Sequence, residues 1–111
     1  GGSSGIGRSL VERLARDSRY AVFAIGRDEA ALRSLEPLGV GWAAGSVTSP
    51  ADVERHWAAA RTFFEQHGAG AFGLCLNAGT GAGRMPLEDM PVERIDRVLD
   101  TNVKGVLHWL R

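Results

Sequence analysis

The chain has 111 residues, 44% of them hydrophobic, which suits one ordinary globular domain and gives no sign of two. Thirteen basic residues balance thirteen acidic ones, so the formal net charge is zero and no long-range field draws the chain to nucleic acid or an anionic membrane. The lone Cys75 cannot form an internal disulfide and reads as a buried thiol; no apolar run reaches the ~18 residues of a membrane span, Gly1 opens no signal peptide, and a cytoplasmic protein is expected.

Apolar periodicity alternates between helix and strand along the whole length, the pattern of repeated β and α units. A first helix is expected from within the glycine cluster to about Asp17, with Ile6, Leu10 and Leu14 on one inward face. Tyr20 to Ile25 reads as a buried strand. Asp28 can cap a short helix whose Ala31, Leu32 and Leu35 turn inward, and Val40 to Ala44 reads as a second strand. Ser49-Pro50-Ala51-Asp52 has a capping serine, proline at the first helical position and a carboxylate in the positive first turn. The helix it opens carries an apolar stripe of Val53, Trp57, Ala60 and Phe64. Phe72 to Leu76 reads as another buried strand, ending at Asn77-Ala78-Gly79. Thr80 to Pro91 is loop-like, and Pro91 can open a last helix that buries Ile95, Val98, Leu99, Val103, Val106, Leu107 and Leu110.

The segment most informative about chemistry is Gly1-Gly2-Ser3-Ser4-Gly5-Ile6-Gly7, because it runs straight into an amphipathic helix. A helix start offers free N–H groups and a positive dipole end to a phosphate, and glycines let a diphosphate approach the backbone. The spacing differs from G-x-G-x-x-G and lacks a P-loop lysine, so taken alone the segment is also readable as a glycine-rich turn. Asn102 falls on the apolar side of the last helix, where an unpartnered amide would cost about 1–3 kcal/mol. It is either a core asparagine bonded to backbone or a functional group.

Taken together, the glycine segment, Asn77-Ala78-Gly79 after a strand and Thr101-Asn102-Val103-Lys104-Gly105 in a helix resemble the short-chain dehydrogenase/reductase family over essentially the whole chain. The resemblance implies an α/β fold, a Rossmann-type doubly wound parallel sheet present in part, with residues 1–111 forming part of an NAD(P)-binding domain. It implies that Gly1, Ser3, Ser4, Gly5, Ile6 and Gly7 bind the adenosine ribose and diphosphate. Asn77, Ala78 and Gly79 would line the cofactor near the middle of the sheet, and Asn102 would help hold a proton-relay water. At the end of the Tyr20–Ile25 strand stand Gly26 and Arg27, where a carboxylate would favour NAD; the guanidinium of Arg27 favours the 2′-phosphate of NADP. Asp28 opposes that preference unless it caps the next helix. Ser46, followed by Val47, occupies the place of the family's adenine-binding aspartate, and Leu76 replaces an asparagine common before Asn77.

The family's catalytic serine and Tyr-x-x-x-Lys are expected beyond Arg111, and its first strand before Gly1. Tyr20, with no lysine four residues on, is not the catalytic acid. The reading is therefore an oxidoreductase, NADP-preferring or NAD-using, that moves hydride between nicotinamide and a small carbonyl or alcohol substrate, with no metal. A homo-oligomer is compatible with the resemblance. The alternatives are a noncatalytic dinucleotide sensor or inactive partner subunit on the same fold, and a different Rossmann enzyme such as an epimerase or methyltransferase.

Overall fold

The structure, a computed structural model, describes residues 1–111. Helix α1 spans Gly5–Ala15, strand β1 Phe23–Gly26, helix α2 Glu29–Arg33, strand β2 Gly41–Ala44 and helix α3 Pro50–Gln66. Helix α4 covers Val92–Leu99, and a π-helical run, Asp100–Lys104, joins it to α5, Gly105–Leu110. Strands β1 and β2 are parallel, in the register Phe23 with Gly41 through Gly26 with Ala44, and α2 lies in the crossover that parallel pairing requires.

Alternation along β1 puts helices on both faces. Ala24, 2% exposed, packs in the core cluster with Val11 of α1 and Leu32, Leu35 and Val40 around α2. Its neighbour Phe23 turns the other way, onto Phe63 of α3 with ring centroids 5.6 Å apart. Opposite Phe23 sits Gly41, where a Cβ would come within 2.6 Å of the Phe63 ring; only glycine lets α3 lie so close. This layering of helix, parallel sheet and helix is the Rossmann-type architecture expected from the alternating pattern.

The caps fall where the sequence puts them. Asp28 accepts from the Ala31 N–H at 2.9 Å and Ser49 from the Asp52 N–H at 3.2 Å, each relieving a helix start of an orphan donor. Leu32 and Leu35 are fully buried, and Val53 and Ala60 of the α3 stripe are buried with Trp57 and Phe64 half-buried.

Other expectations are corrected. Helix α1 ends at Ala15 and Ile6 is 82% exposed; Gly7 and Val11 are its buried residues, with Leu10 and Leu14 half-buried as the spacing expects. Strand β1 starts at Phe23, and Tyr20 lies outside it, exposed. Phe72 to Leu76 is irregular chain without a ladder and is exposed, and Cys75 within it is exposed rather than buried. The reason is the absence of a neighbour. Between Tyr20–Ile25 and Phe72–Leu76 lies a cavity of about 890 Å³ lined by apolar side chains, among them Leu10, Leu14, Val22 and Phe64. On that edge of β1 the chain pairs only near its end, where the Gly2 N–H donates to Ile25 O at 2.8 Å. Strand order is a property of a pair, so an apolar run with no strand hydrogen-bonded to it stays irregular, although Phe72 packs its ring on Trp57 with centroids 5.6 Å apart.

The last helix also departs from the expected face. Gly105 and Trp109 are buried and Ile95, Val98 and Val106 half-buried, whereas Leu99, Val103, Leu107 and Leu110 are 48–65% exposed. Those four recur at four- and three-residue spacing on one side that stays exposed, and between α4 and α5 the run Asp100–Lys104 is π-helical. No helix is long and apolar enough to cross a membrane.

Candidate functional site

At the carboxyl ends of β1 and β2 opens a cleft of about 590 Å³. Its lining comes from separate stretches of chain: Gly1, Ser3 and Ser4; Gly26, Arg27 and Asp28; Gly45 to Thr48; Ala78 and Gly79; and the polar side of α4 and the π run. The structure thus brings Gly1, Ser3, Ser4, Arg27, Ser46, Val47, Ala78 and Gly79 to one wall-and-floor arrangement. Gly7 and Asn77 lie just beneath it, bordering the apolar cavity, while Gly5 and Ile6 are exposed at the start of α1 and Asn102 stands apart.

Close backbone approach explains the glycines. A Cβ on Gly7 would overlap Gly1 O and reach within 2.5 Å of the Asn77 amide nitrogen, and one on Gly1 would lie 2.7 Å from Ala78 N. The Asn77 amide donates to Gly1 O at 3.2 Å, closing the contact. Gly5 has open space around its Cβ position but a φ of +55°, so its requirement is conformational, not steric. A Cβ at Gly26 would come within 2.8 Å of Ser3 Oγ, so the β1 end and the glycine loop also touch.

Helix α1 differs from α2 and α3 at its start. Ser4 makes no side-chain cap and the first turn holds no acid, whereas α2 and α3 are capped and carry Glu29 and Asp52 in their first turns. The first N–H groups of α1 and its positive dipole end therefore remain available to an anion.

Arg27 is exposed at the rim and takes no part in the chain's ion pairs. Asp28 is turned into the α2 cap, which removes one carboxylate oxygen from competition with Arg27. Ser46 is held on two sides: its N–H donates to Asp52 Oδ2 at 2.8 Å, and its hydroxyl lies 2.7 Å from Thr48 Oγ1. The hydrogen bond from the Ser46 N–H holds the Asp52 carboxyl below its ordinary value near 3.8, with Arg55 beside it reinforcing the effect.

Asn102 is exposed rather than set in the core, and both ends of its amide bond one distant residue. Oδ1 accepts from the Thr80 N–H and Nδ2 donates to Thr80 O, both at 2.9 Å. The side chain thereby pins the segment that follows Asn77-Ala78-Gly79. In the π run the Gly105 N–H bonds Asp100 O, five residues back, instead of the Thr101 carbonyl four back.

Sequence reasoning missed the wall supplied by Glu93, Asp96, Arg97, Asp100 and Thr101. The signal was present as a polar face at three- and four-residue spacing on α4. It also missed Asp52 and His108 as supports of the Ser46–Val47 corner; nothing in a sequence points a capping aspartate or a helix-end histidine at a loop 6 or 61 residues away.

The whole chain, residues 1–111, matches the short chain dehydrogenase family. A cis-2,3-dihydrobiphenyl-2,3-diol dehydrogenase from Pseudomonas sp. (strain KKS102) is 39% identical, over 96% of this chain and 40% of its own length. Among solved structures, serine dehydrogenase from Escherichia coli is similar with a TM-score of 0.84 and 26% identity, over 100% of this chain and 50% of that one. The closed form of a serine dehydrogenase complexed with NADP+ is similar with a TM-score of 0.81 and 25% identity, over 100% of this chain and 44% of that one. The chain therefore spans about half the length, or less, of the relatives it matches.

Proposed function

The chain belongs to the short-chain dehydrogenase family, and from that membership we propose that it forms the dinucleotide-binding part of an oxidoreductase that prefers NADP(H). One observation carries the reading: the glycine segment, the β1 end, the β2 end and Ala78–Gly79, far apart in sequence, line a single cleft at the carboxyl ends of parallel strands. Within it, the uncapped start of α1 receives the diphosphate through the N–H groups near Gly5 and Gly7. Gly1 and Gly7, lacking side chains, keep the loop tight against Asn77 and Ala78. Arg27 offers a forked donor to a 2′-phosphate, and Ser46 with Val47 borders the adenine. NADP bound in a structurally similar serine dehydrogenase supports the same cofactor class here.

When bound, the dinucleotide supplies hydride chemistry at a carbonyl or alcohol carbon. This chain's share is to bind and orient. Asn102, holding Thr80 by both amide groups, fixes the backbone that lines the nicotinamide half. The substrate is a small carbonyl or alcohol compound.

The deciding experiment is a titration of the intact protein with NADPH and NADH. NADPH should bind more tightly, and Arg27→Ala should erode the difference by about 1.5–3 kcal/mol, the worth of a hydrogen bond to a charged group. Equal affinities in the unmutated protein would sink the NADP preference, and failure to bind either would sink the dinucleotide reading.

A further inference from the structure

Beyond the end of β2 the chain leaves the ladder. After the Gly45 N–H donates to Gly26 O at 2.8 Å, the corner from Ser46 to Thr48 turns away from β1. Side chains from two helices hold this corner. From α3, His56 Nε2 donates to Ala44 O at 3.2 Å and Asp52 receives the Ser46 N–H. From α5, His108 Nδ1 lies 3.1 Å from Val47 O; a carbonyl can only accept, so the ring carries its proton on Nδ1. A second contact brings the same helix to the same residue. A Cβ on Gly105 would lie 2.9 Å from Val47 Cγ2, so α5 approaches Val47 as closely as a glycine permits. Val47 itself lines the cleft.

We infer that His108 is a positioning residue for the adenine end of the cleft. Its ring N–H fixes the Val47 carbonyl, and with it the Ser46–Val47 wall, from a helix that contributes none of its own residues to that cleft. This rests on the dinucleotide reading above but assigns a residue that reading leaves without a role. The hydrogen bond is local to one wall. Its loss should therefore loosen the adenine subsite and leave the nicotinamide half, held by Asn102 and Thr80, as it was.

The test uses the intact protein with two half-ligands, adenosine 2′,5′-bisphosphate and reduced nicotinamide mononucleotide. His108→Leu should weaken the bisphosphate about three- to tenfold, as expected for one neutral hydrogen bond, and leave the mononucleotide unchanged. His108→Asn places an amide nitrogen near the Nδ1 position and should restore most of the loss. In the unmutated protein, the ring ¹⁵N shifts should report the Nδ1–H form of His108. Undiminished bisphosphate binding by folded His108→Leu, or an Nε2–H ring in the native protein, would overturn the inference. If His108→Leu does not fold, the asparagine variant and the tautomer decide. No bisphosphate binding by the unmutated protein would instead refute the dinucleotide reading.

Discussion

Replacing Asn102 separates a scaffold from a relay. Its amide makes two hydrogen bonds to Thr80, each 2.9 Å, and each worth about 0.5–1.5 kcal/mol net. Because Asn102 is exposed, water compensates part of the loss, and Asn102→Leu should cost about 1–2 kcal/mol of local stability. That is a factor of about 5–30 in the population of the opened segment. Asn102→Asp separates the two bonds: it keeps an acceptor for the Thr80 N–H but turns a second carboxylate oxygen toward Thr80 O, so it should rescue only in part. Hydrogen exchange at the Thr80 amide in the intact protein reads this directly, accelerating about 5- to 30-fold in Asn102→Leu and less in Asn102→Asp. Ala78 and Gly79 line the cleft just upstream, so NADPH affinity should fall in step with that protection. Thr80 exchange unchanged in Asn102→Leu would refute the scaffold role, and turnover lost with exchange and affinity intact would return the side chain to the relay.

Gly7→Ala should destabilise by about 1–3 kcal/mol in chemical denaturation, because the added methyl meets backbone that cannot yield; an unchanged midpoint would mean the glycine loop is looser than it looks. Gly5→Val should weaken both cofactors through about 1–2 kcal/mol of left-handed backbone strain, and Gly5→Asn, which tolerates that conformation in open space, should bind better than valine. Asp52 titrates below its ordinary value in the folded state, so its contribution is present above the unfolded value near 3.8 and disappears as pH falls through the lower folded value. Asp52→Asn keeps an acceptor for Ser46 and should flatten the acid limb of a stability-against-pH curve, while an acid limb identical to the parent's would exclude Asp52 as its source. The 111-residue chain by itself buries only 12 residues, so its urea unfolding should be broad, with circular dichroism and tryptophan fluorescence out of step. One sharp coincident transition would contradict this.

What could be read from sequence was local. Asp28 and Ser49 announced their helices because a cap is a relation between residues three apart, and Leu32, Leu35, Val53 and Ala60 declared an inward face by spacing alone. The cleft's glycine loop, Arg27 and Ala78–Gly79 were legible as motifs of a recognised fold. Burial was not, where it depends on what lies alongside. Phe72 to Leu76 has the composition of a strand and no neighbour to make it one, and Leu99, Val103, Leu107 and Leu110 have the spacing of a buried face on a helix whose other side does the packing. The π run was invisible because no residue type marks it. Spacing puts Asn102 on the apolar side of its helix, yet it is exposed, and which backbone its amide meets is a fact of the assembled fold.

The bond from the Asn77 amide to Gly1 O joins residues 76 apart in sequence, and that from His108 to Val47 spans 61. By contrast, β1, α2 and β2 meet within a short stretch of chain. Closing a long loop costs entropy before any contact rewards it, so the β–α–β unit should form first and the cleft last. The contacts that border the cleft would then be largely absent from the folding transition state. A dinucleotide bound there would slow unfolding while hardly changing the rate of folding, acting as a latch on the step the chain completes last.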